Sequence, residues 1–206
     1  MTTTRDDMVA QLRRLGIHDP RVLHAMSRVP REEFVRAEDR EIAYGDHALP
    51  IGEGQTISQP YVVARMTELL DPGTDDHVLE VGTGSGYQAA VLGELAGDVV
   101  TVERHHALAD RARETLARLG YDNVRVHHDD ASLGRPEDAP YDRIIVTAAA
   151  PSIDPVLVAQ LSDGGRIVAP VGDQELQELV VRDARGHEER HGAVRFVLLR
   201  GRAGFS

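Results

Sequence analysis

Cysteine is absent from this sequence, and with it go disulfide bonds, thiol nucleophiles and thiolate metal sites. Positive charge is also in short supply: 23 Lys and Arg stand against 34 Asp and Glu, a formal net charge of −11. The acidic excess is spread along the chain, and no basic patch offsets it. A field of that sign repels phosphate backbones and anionic lipid, so neither nucleic acid nor a membrane surface is an expected partner. No segment approaches 18 consecutive apolar residues, and MTTTRDDMVAQLRRLG carries acids where a secretory leader has a basic end followed by an apolar stretch. The expectation is a cytoplasmic protein, and the acidic surface argues for a monomer.

What the chain does have is apolar material for one core: 206 residues, 41% of them hydrophobic. Residues 5 to 36 show helical spacing through Met8, Val9, Leu12 and Leu15, then Val22, Leu23 and Met26, with Pro20 and Pro30 where helices can start. A small N-terminal helical cap is expected there. From His77 onward the pattern changes. HVLEV, DVVTVE, NVRVH, DRIIVTA and GRIVAPV are nearly continuous in Val and Ile, as strands buried on both faces are. Between them YQAAVLGELAG, HHALADRARETLARLG and DPVLVAQLS are long enough to serve as crossover helices. This predicts a doubly wound α/β fold. ELQELVVRD and AVRFVLLR, near the end, read as two further strands paired antiparallel.

The strongest local signal is VLEVGTGSGYQAA, where a buried strand runs through Gly82, Thr83, Gly84, Ser85 and Gly86 into a helix. Backbone N–H groups and the positive end of a helix converge above such a turn. The dinucleotide fingerprint places a third glycine at position 87, where this chain has Tyr87. The spacing GxGxG after Glu80 is instead the form usual in S-adenosylmethionine-dependent methyltransferases, in which a nucleoside without a pyrophosphate needs close approach and not a phosphate cradle. Glu103 ends the next strand, about 20 residues after the first glycine, where a carboxylate accepts from both ribose hydroxyls. VHHDDAS puts Asp129 and Asp130 at the end of the third strand. One of them can accept from an adenine amino group while the other caps the following turn, and we assign the cap to Asp129.

Residues 48 to 60, ALPIGEGQTISQP, follow neither period and hold one charge, Glu53. Their reactive groups are the hydroxyls of Thr56 and Ser58. On the residues alone, Ser58 beside Gln59 and Pro60 reads as the cap of the helix YVVARMTELL.

Six segments together go further. VPREEFV, ALPIGEGQTISQPYVVARMTELL, VLEVGTGSGYQAAVL, RIIVTAAAP, LSDGGRIVAPVG and VRFVLL resemble the protein-L-isoaspartate (D-aspartate) O-methyltransferase family from about Val9 to Arg200. The GQTIS block is the diagnostic element, because general methyltransferases lack it. The resemblance implies one domain over residues 1–206. Residues 1–72 would form the helical cap and substrate loop, and 73–206 the S-adenosylmethionine-binding core, a mostly parallel seven-stranded Rossmann-like sheet with an antiparallel C-terminal hairpin. It implies transfer of a methyl group from S-adenosylmethionine, leaving S-adenosylhomocysteine, to the side-chain carboxylate of isoaspartyl and D-aspartyl residues in damaged proteins.

By the same resemblance, Gln55, Thr56, Ile57 and Ser58 form a loop over cofactor and substrate, with Ser58 at the active-site position. Glu80, Gly82, Thr83, Gly84, Ser85 and Gly86 meet the methionine end, Glu103 and Arg104 the ribose, and Asp130 and Ala131 the adenine. Val194, Arg195 and Phe196, with Thr56 and Ser58, hold the substrate. Two departures stand out: Asp129-Asp130-Ala131 replaces the family's Gly-Asp-Gly, and Leu198 replaces a proline.

No metal is expected. HEERH at 187 to 191 spells HExxH, but it lies between Gly186 and Gly192 with strand-like runs on both sides, which points to a hairpin turn and not a zinc-binding helix. His105-His106 and His127-His128 read as a helix start and a strand end, since adjacent residues do not converge on one ion.

Overall fold

The computed structural model describes residues 3–205. It begins with α1 (Arg5–Arg14) and α2 (Pro20–Arg28), followed by 3-10 turns at 31–33 and 37–42. Local chemistry sets the helix starts. Thr4 accepts from the Asp7 amide while Asp7 returns a bond to the Thr4 amide, and Asp19 caps α2 ahead of Pro20, whose missing N–H costs nothing at the first helical position. The inward faces of both helices, through Met8, Leu12, Val22 and Met26, pack in one cluster with Phe34, Ile51, Ile57 and Tyr87.

The stretch after the cap is not the irregular loop its aperiodic sequence suggests. It forms an antiparallel hairpin, β1 (Leu49–Gly52) and β2 (Gln55–Ile57), with Leu49 opposite Ile57 and Pro50 opposite Thr56. Its tip turns through Gly52, Glu53 and Gly54, all at positive φ. Next come α3 (Pro60–Leu70) and the strands β3 (His77–Val81), β4 (Asp98–Glu103), β5 (Val124–His128), β6 (Tyr141–Val146) and β7 (Leu161–Gly172). The strands alternate with α4 (Tyr87–Gly93), α5 (His106–Arg118) and α6 (Pro155–Val158). β8 (Gln177–Asp183) and β9 (Glu188–Val194) complete a seven-stranded sheet in the order β5-β4-β3-β6-β7-β8-β9.

Pairing is parallel from β5 to β7 and antiparallel for β8 and β9. Alternate strand residues feed two apolar layers. Val78, Val99, Ile145 and Val168 meet Met66 and Leu70 of α3 and Leu92 of α4, whereas Leu79, Val100, Ile144 and Ile167 meet Leu157 of α6. Burial on both faces explains why these strands are apolar throughout. Strand order reverses between β3 and β6, and in wound sheets the carboxyl ends at such a point border the binding crevice.

Two further elements differ from the sequence expectation. The C-terminal hairpin turns earlier than expected: Asp183 Oδ1 accepts from the Arg185 and His187 amides, both at 2.9 Å, and Gly186 takes φ +89°. His187 therefore closes the turn, while Glu188, Glu189, Arg190 and His191 belong to the edge strand β9, their charges facing solvent as suits an exposed edge, and 195–197 lie beyond the strand. α6 is a single turn. Gln160 leaves the helix so that its carbonyl receives the Tyr141 N–H at 2.8 Å and its side-chain amide donates to Leu133 O.

Gly86 opens α4 at φ +90°, and a Cβ there would lie 3.3 Å from both Ala112 Cβ and Leu116 Cδ1 of α5. Left-handed backbone and close helix approach both require glycine. Gly86→Ala is expected to lower the unfolding free energy by about 1–3 kcal/mol, measured by urea denaturation.

Candidate active site

The floor of the site is a short chain of hydrogen bonds at the carboxyl ends of β3 and β4. Thr101 Oγ1 donates to Glu80 Oε2 at 2.6 Å and lies 2.6 Å from Thr83 Oγ1. Glu80 is fully buried, and among the described residues its second oxygen, Oε1, has no partner. Glu103 accepts the Gly84 N–H at 2.9 Å on one oxygen and the His105 N–H at 2.8 Å on the other. Directly after β6, Thr147 Oγ1 donates to Gly82 O at 2.5 Å, and a Cβ on Gly82 would lie 2.6 Å from that hydroxyl oxygen. The glycine is needed because β6 approaches the turn so closely.

The roof is the β1–β2 hairpin. Ile51 Cδ1 lies 3.4 Å from where a Gly84 Cβ would stand, so hairpin and turn are in contact. Arg111 of α5 donates to Ile51 O, and His105 Nδ1 lies 3.6 Å from Glu53 Oε2 at the tip. The helix start that Glu103 pins thus also fastens the roof.

Ser58 does not cap α3. Gln59 occupies the cap position without a side-chain capping bond, and the first-turn amide of Tyr61 is instead taken by Asp46 Oδ1 at 2.8 Å. Asp46 Oδ2 accepts from the Gln59 side chain at 3.2 Å. Among the described residues the Ser58 hydroxyl has no hydrogen-bond partner, so it is free to bind a ligand.

One cavity lies between roof and floor, lined by Gln55, Thr56, Ile57, Ser58, Glu80, Gly82, Thr83, Gly84, Ser85 and Glu103. A second shares Gln55, Gly82 and Glu103 and runs past Arg104 and Ala131 to Leu198–Arg200. A third cleft shares Thr56 and Ser58 with the first and opens toward Arg195 and Phe196. Most of the residues expected at the site are therefore gathered there.

Three are not. Gly86 faces α5, as described above. Val194 pairs with Gln177 in the sheet and packs at the margin of the apolar layer beneath α3. Asp130 lines none of the three cavities. It caps the turn at 131–133, accepting from the Ser132 amide at 3.1 Å and hydroxyl at 2.7 Å, and takes the Arg202 N–H at 3.0 Å. Burial raises its pKa, but the bonds from Ser132 and Arg202 outweigh this and leave it below the ordinary carboxylate range. The cap assigned to Asp129 thus belongs to Asp130, and among the described residues Asp129 accepts only the Asp130 amide, at 2.7 Å.

Other lining residues went unmarked in the sequence: Val63, Met66, Gln88, Thr147, Ala148 and Val197. Thr147 and Ala148 follow directly on β6, and their position at a strand's carboxyl end was the available signal. Met66 and Gln88 are apolar-face residues of their helices, and periodicity alone gives them only a core role.

Burial pushes the Glu80 carboxyl up to about 8, against the Thr101 bond and with a contribution from the neighbouring Glu103 charge. Folded protein therefore holds a proton that the unfolded chain releases near pH 4.5, so this group's stabilising effect is complete below that and lost as pH rises through about 8. Unfolding free energy is expected to decline between about pH 5 and pH 8, and Glu80→Gln is expected to flatten that decline, as followed by urea titrations across the range.

Comparisons with known proteins supply the family. Residues 3–204 match the model of the family described as Protein-L-isoaspartate(D-aspartate) O-methyltransferase (PCMT). A protein-L-isoaspartate O-methyltransferase of Methanoculleus marisnigri is 54% identical over 98% of this chain and 93% of its own. A second, from Syntrophobacter fumaroxidans, is 52% identical over 98% and 96%. Among solved structures, a protein-L-isoaspartate O-methyltransferase superposes with TM-score 0.88 at 29% identity, over 98% of this chain and 67% of that one. A Plasmodium falciparum protein assigned to the same activity, solved with S-adenosyl-L-homocysteine, gives 0.82 at 25%, over 95% and 98%. On these similarities, the chain belongs to the protein-L-isoaspartate (D-aspartate) O-methyltransferase family.

Proposed function

We propose that methyl transfer takes place where the first cavity meets the third, with Ser58 orienting the accepting carboxylate. The protein is an S-adenosylmethionine-dependent O-methyltransferase acting on the side-chain carboxylate of isoaspartyl and D-aspartyl residues in damaged proteins, the step that starts their repair through a succinimide. One juxtaposition supports the placement: Thr56 and Ser58 line both the cavity over the glycine turn and the cleft that opens to Arg195 and Phe196.

The residues present suit the cofactor. Glu80 Oε1 is buried in the lining with no donor among the described residues and would accept from an ammonium group. Gly82 and Gly84 keep the turn's backbone clear of side chains. Each Glu103 oxygen holds one backbone N–H, which leaves capacity for two hydroxyl donors. Arg104 and Ala131, in the second cavity, would flank the nucleoside. When bound, S-adenosylmethionine supplies a methyl group made electrophilic by its sulfonium.

The chain's own task is then alignment. An isoaspartyl carboxyl has an ordinary pKa near 4 and is already ionised, so no general base is required. Neutral donors suit an anionic nucleophile, since a fixed carboxylate would repel it and a lysine would hold it too tightly. Ser58 Oγ, with Thr56 beside it, would donate to one carboxylate oxygen and leave the other facing the methyl group. Positioning of this kind is worth roughly 7–11 kcal/mol. The division of labour follows the chain: residues 1–72 bring the hydroxyls, and 73–206 the cofactor floor. We also propose that the protein acts as a cytoplasmic monomer on flexible, exposed segments and not on nucleic acid, a reading supported by its net charge of −11. Among the described residues no helix is long and apolar enough to cross a membrane.

Label from the cofactor's methyl group is expected to enter an isoaspartyl peptide and not its aspartyl isomer. Equal labelling of the two would remove the assigned selectivity. Ser58→Ala is expected to lower kcat by about ten- to a hundredfold, the effect of losing one hydrogen bond to a charged group. Calorimetric affinity for S-adenosylhomocysteine should stay within about twofold, and a loss seen mainly in that affinity would place Ser58 with the cofactor instead.

A further inference from the structure

Arg31, in the 3-10 turn after α2, heads the largest fully buried side chains of the protein, with no exposed surface. A desolvated cation is costly, and where a side chain merely fills space a hydrophobic one of similar volume does as well or better. The guanidinium is nevertheless placed with two directed bonds: Nε donates to Ala43 O at 2.8 Å and Nη2 to Ser58 O at 2.7 Å. Its carbon lies 4.7 Å from the centre of the Tyr87 ring, within cation–π range. Among the described residues Nη1 has no partner, so the side chain is not optimised for complete satisfaction.

Those contacts join the two walls of the cavity. Ser58 belongs to the roof, and Tyr87 is the first residue of α4, directly after the glycine turn; both line the same cavity. Asp46 holds the adjoining stretch through the Tyr61 amide and the Gln59 side chain. The backbone from 58 to 61 is thus pinned by charged groups while the Ser58 hydroxyl stays unengaged. An apolar side chain at position 31 would pack against Tyr87 but leave the Ser58 carbonyl unheld.

We propose that Arg31 is a positioning residue for methyl transfer: by gripping the Ser58 carbonyl and stacking on Tyr87, it sets the Ser58 hydroxyl at a fixed place over the glycine turn. This rests on the role given to Ser58 above. Arg31 itself touches no reacting atom, so a variant should slow turnover without weakening cofactor binding.

The test is a double-mutant cycle on purified full-length protein. Arg31→Lys keeps the charge without the planar fork, and Arg31→Met keeps the volume without a donor. Both are expected to lower kcat by about ten- to a hundredfold, the scale of a small misplacement at the reacting centre. Calorimetric affinity for S-adenosylhomocysteine should stay within about twofold, and Arg31→Lys combined with Ser58→Ala should be no slower than Ser58→Ala alone. Leu12→Ala, in the same cap but away from the cavity, is the control for lost thermal stability and should retain wild-type kcat. Should Ser58→Ala slow the reaction while Arg31→Lys leaves kcat unchanged, Arg31 is only a structural brace and the Ser58 role survives. Multiplicative losses in the double variant would show that Arg31 does not act through Ser58, and overturn the proposal. A Ser58→Ala enzyme of normal turnover would remove both readings together.

Discussion

Glu103 sits where three elements meet, and its carboxylate holds them in place. One oxygen takes the amide of Gly84 in the turn after β3, and the other takes the amide of His105 at the start of α5. From that helix Arg111 and His105 reach the hairpin roof at Ile51 and Glu53. A single buried acid at the end of β4 therefore fixes the floor directly and the roof at one remove. The bonds are charge-assisted and shielded from water, which makes them stronger than their neutral counterparts. Cofactor hydroxyls would meet an oxygen pair already oriented, so little reorganisation remains for binding.

The parts of this arrangement legible in the sequence are those where one physical demand dominates. β3, β4, β6 and β7 are buried on both faces, and a run of Val and Ile satisfies that demand in only one way. The GxGxG turn was legible because three closely spaced positive-φ positions leave glycine as the ordinary choice. The β1–β2 hairpin was not, because strands of four and three residues are too short for alternation to register. β9 was misplaced because an edge strand can be charged, and its charges outweighed its pairing with β8 in any local reading. The choice between Asp129 and Asp130 was undecidable locally. It depends on Arg202, which brings its amide to Asp130 from the far end of the chain.

The two departures from the family pattern can be judged on the same terms. Ala131 is buried and packs in the layer that holds Val146 and Leu199, so its methyl group is absorbed by the core while the residue still borders the second cavity. Leu198 lies in a bridge to Ala149 that uses the carbonyl of Val197, at 2.8 Å, and the amide of Leu199, at 2.7 Å. The amide of residue 198 takes no part in that pairing. A proline there would leave the same bonds intact, so leucine changes the side chain at the cavity wall and not the backbone geometry behind it.

Charge is segregated within the site more sharply than the overall composition suggests. Glu80 and Glu103 lie on the floor, where a cationic ligand would belong, whereas the cleft to solvent is lined by the hydroxyls of Thr56, Ser58 and Thr147 and by Arg195, with no acid among its lining residues. Glu80 accommodates both states: burial keeps it largely protonated near neutral pH, and a cation beside Oε1 would favour its ionised form. Around the mouth stand Arg104, Arg195 and Arg200, which among the described residues form no salt bridge. A net charge of −11 opposes the approach of acidic peptides over long range, but within a Debye length of about 10 Å the nearest charges decide. Unpaired arginines at the rim would therefore offset the global field if the substrate carboxylate enters as proposed, and the neutral donors inside would hold it without trapping it.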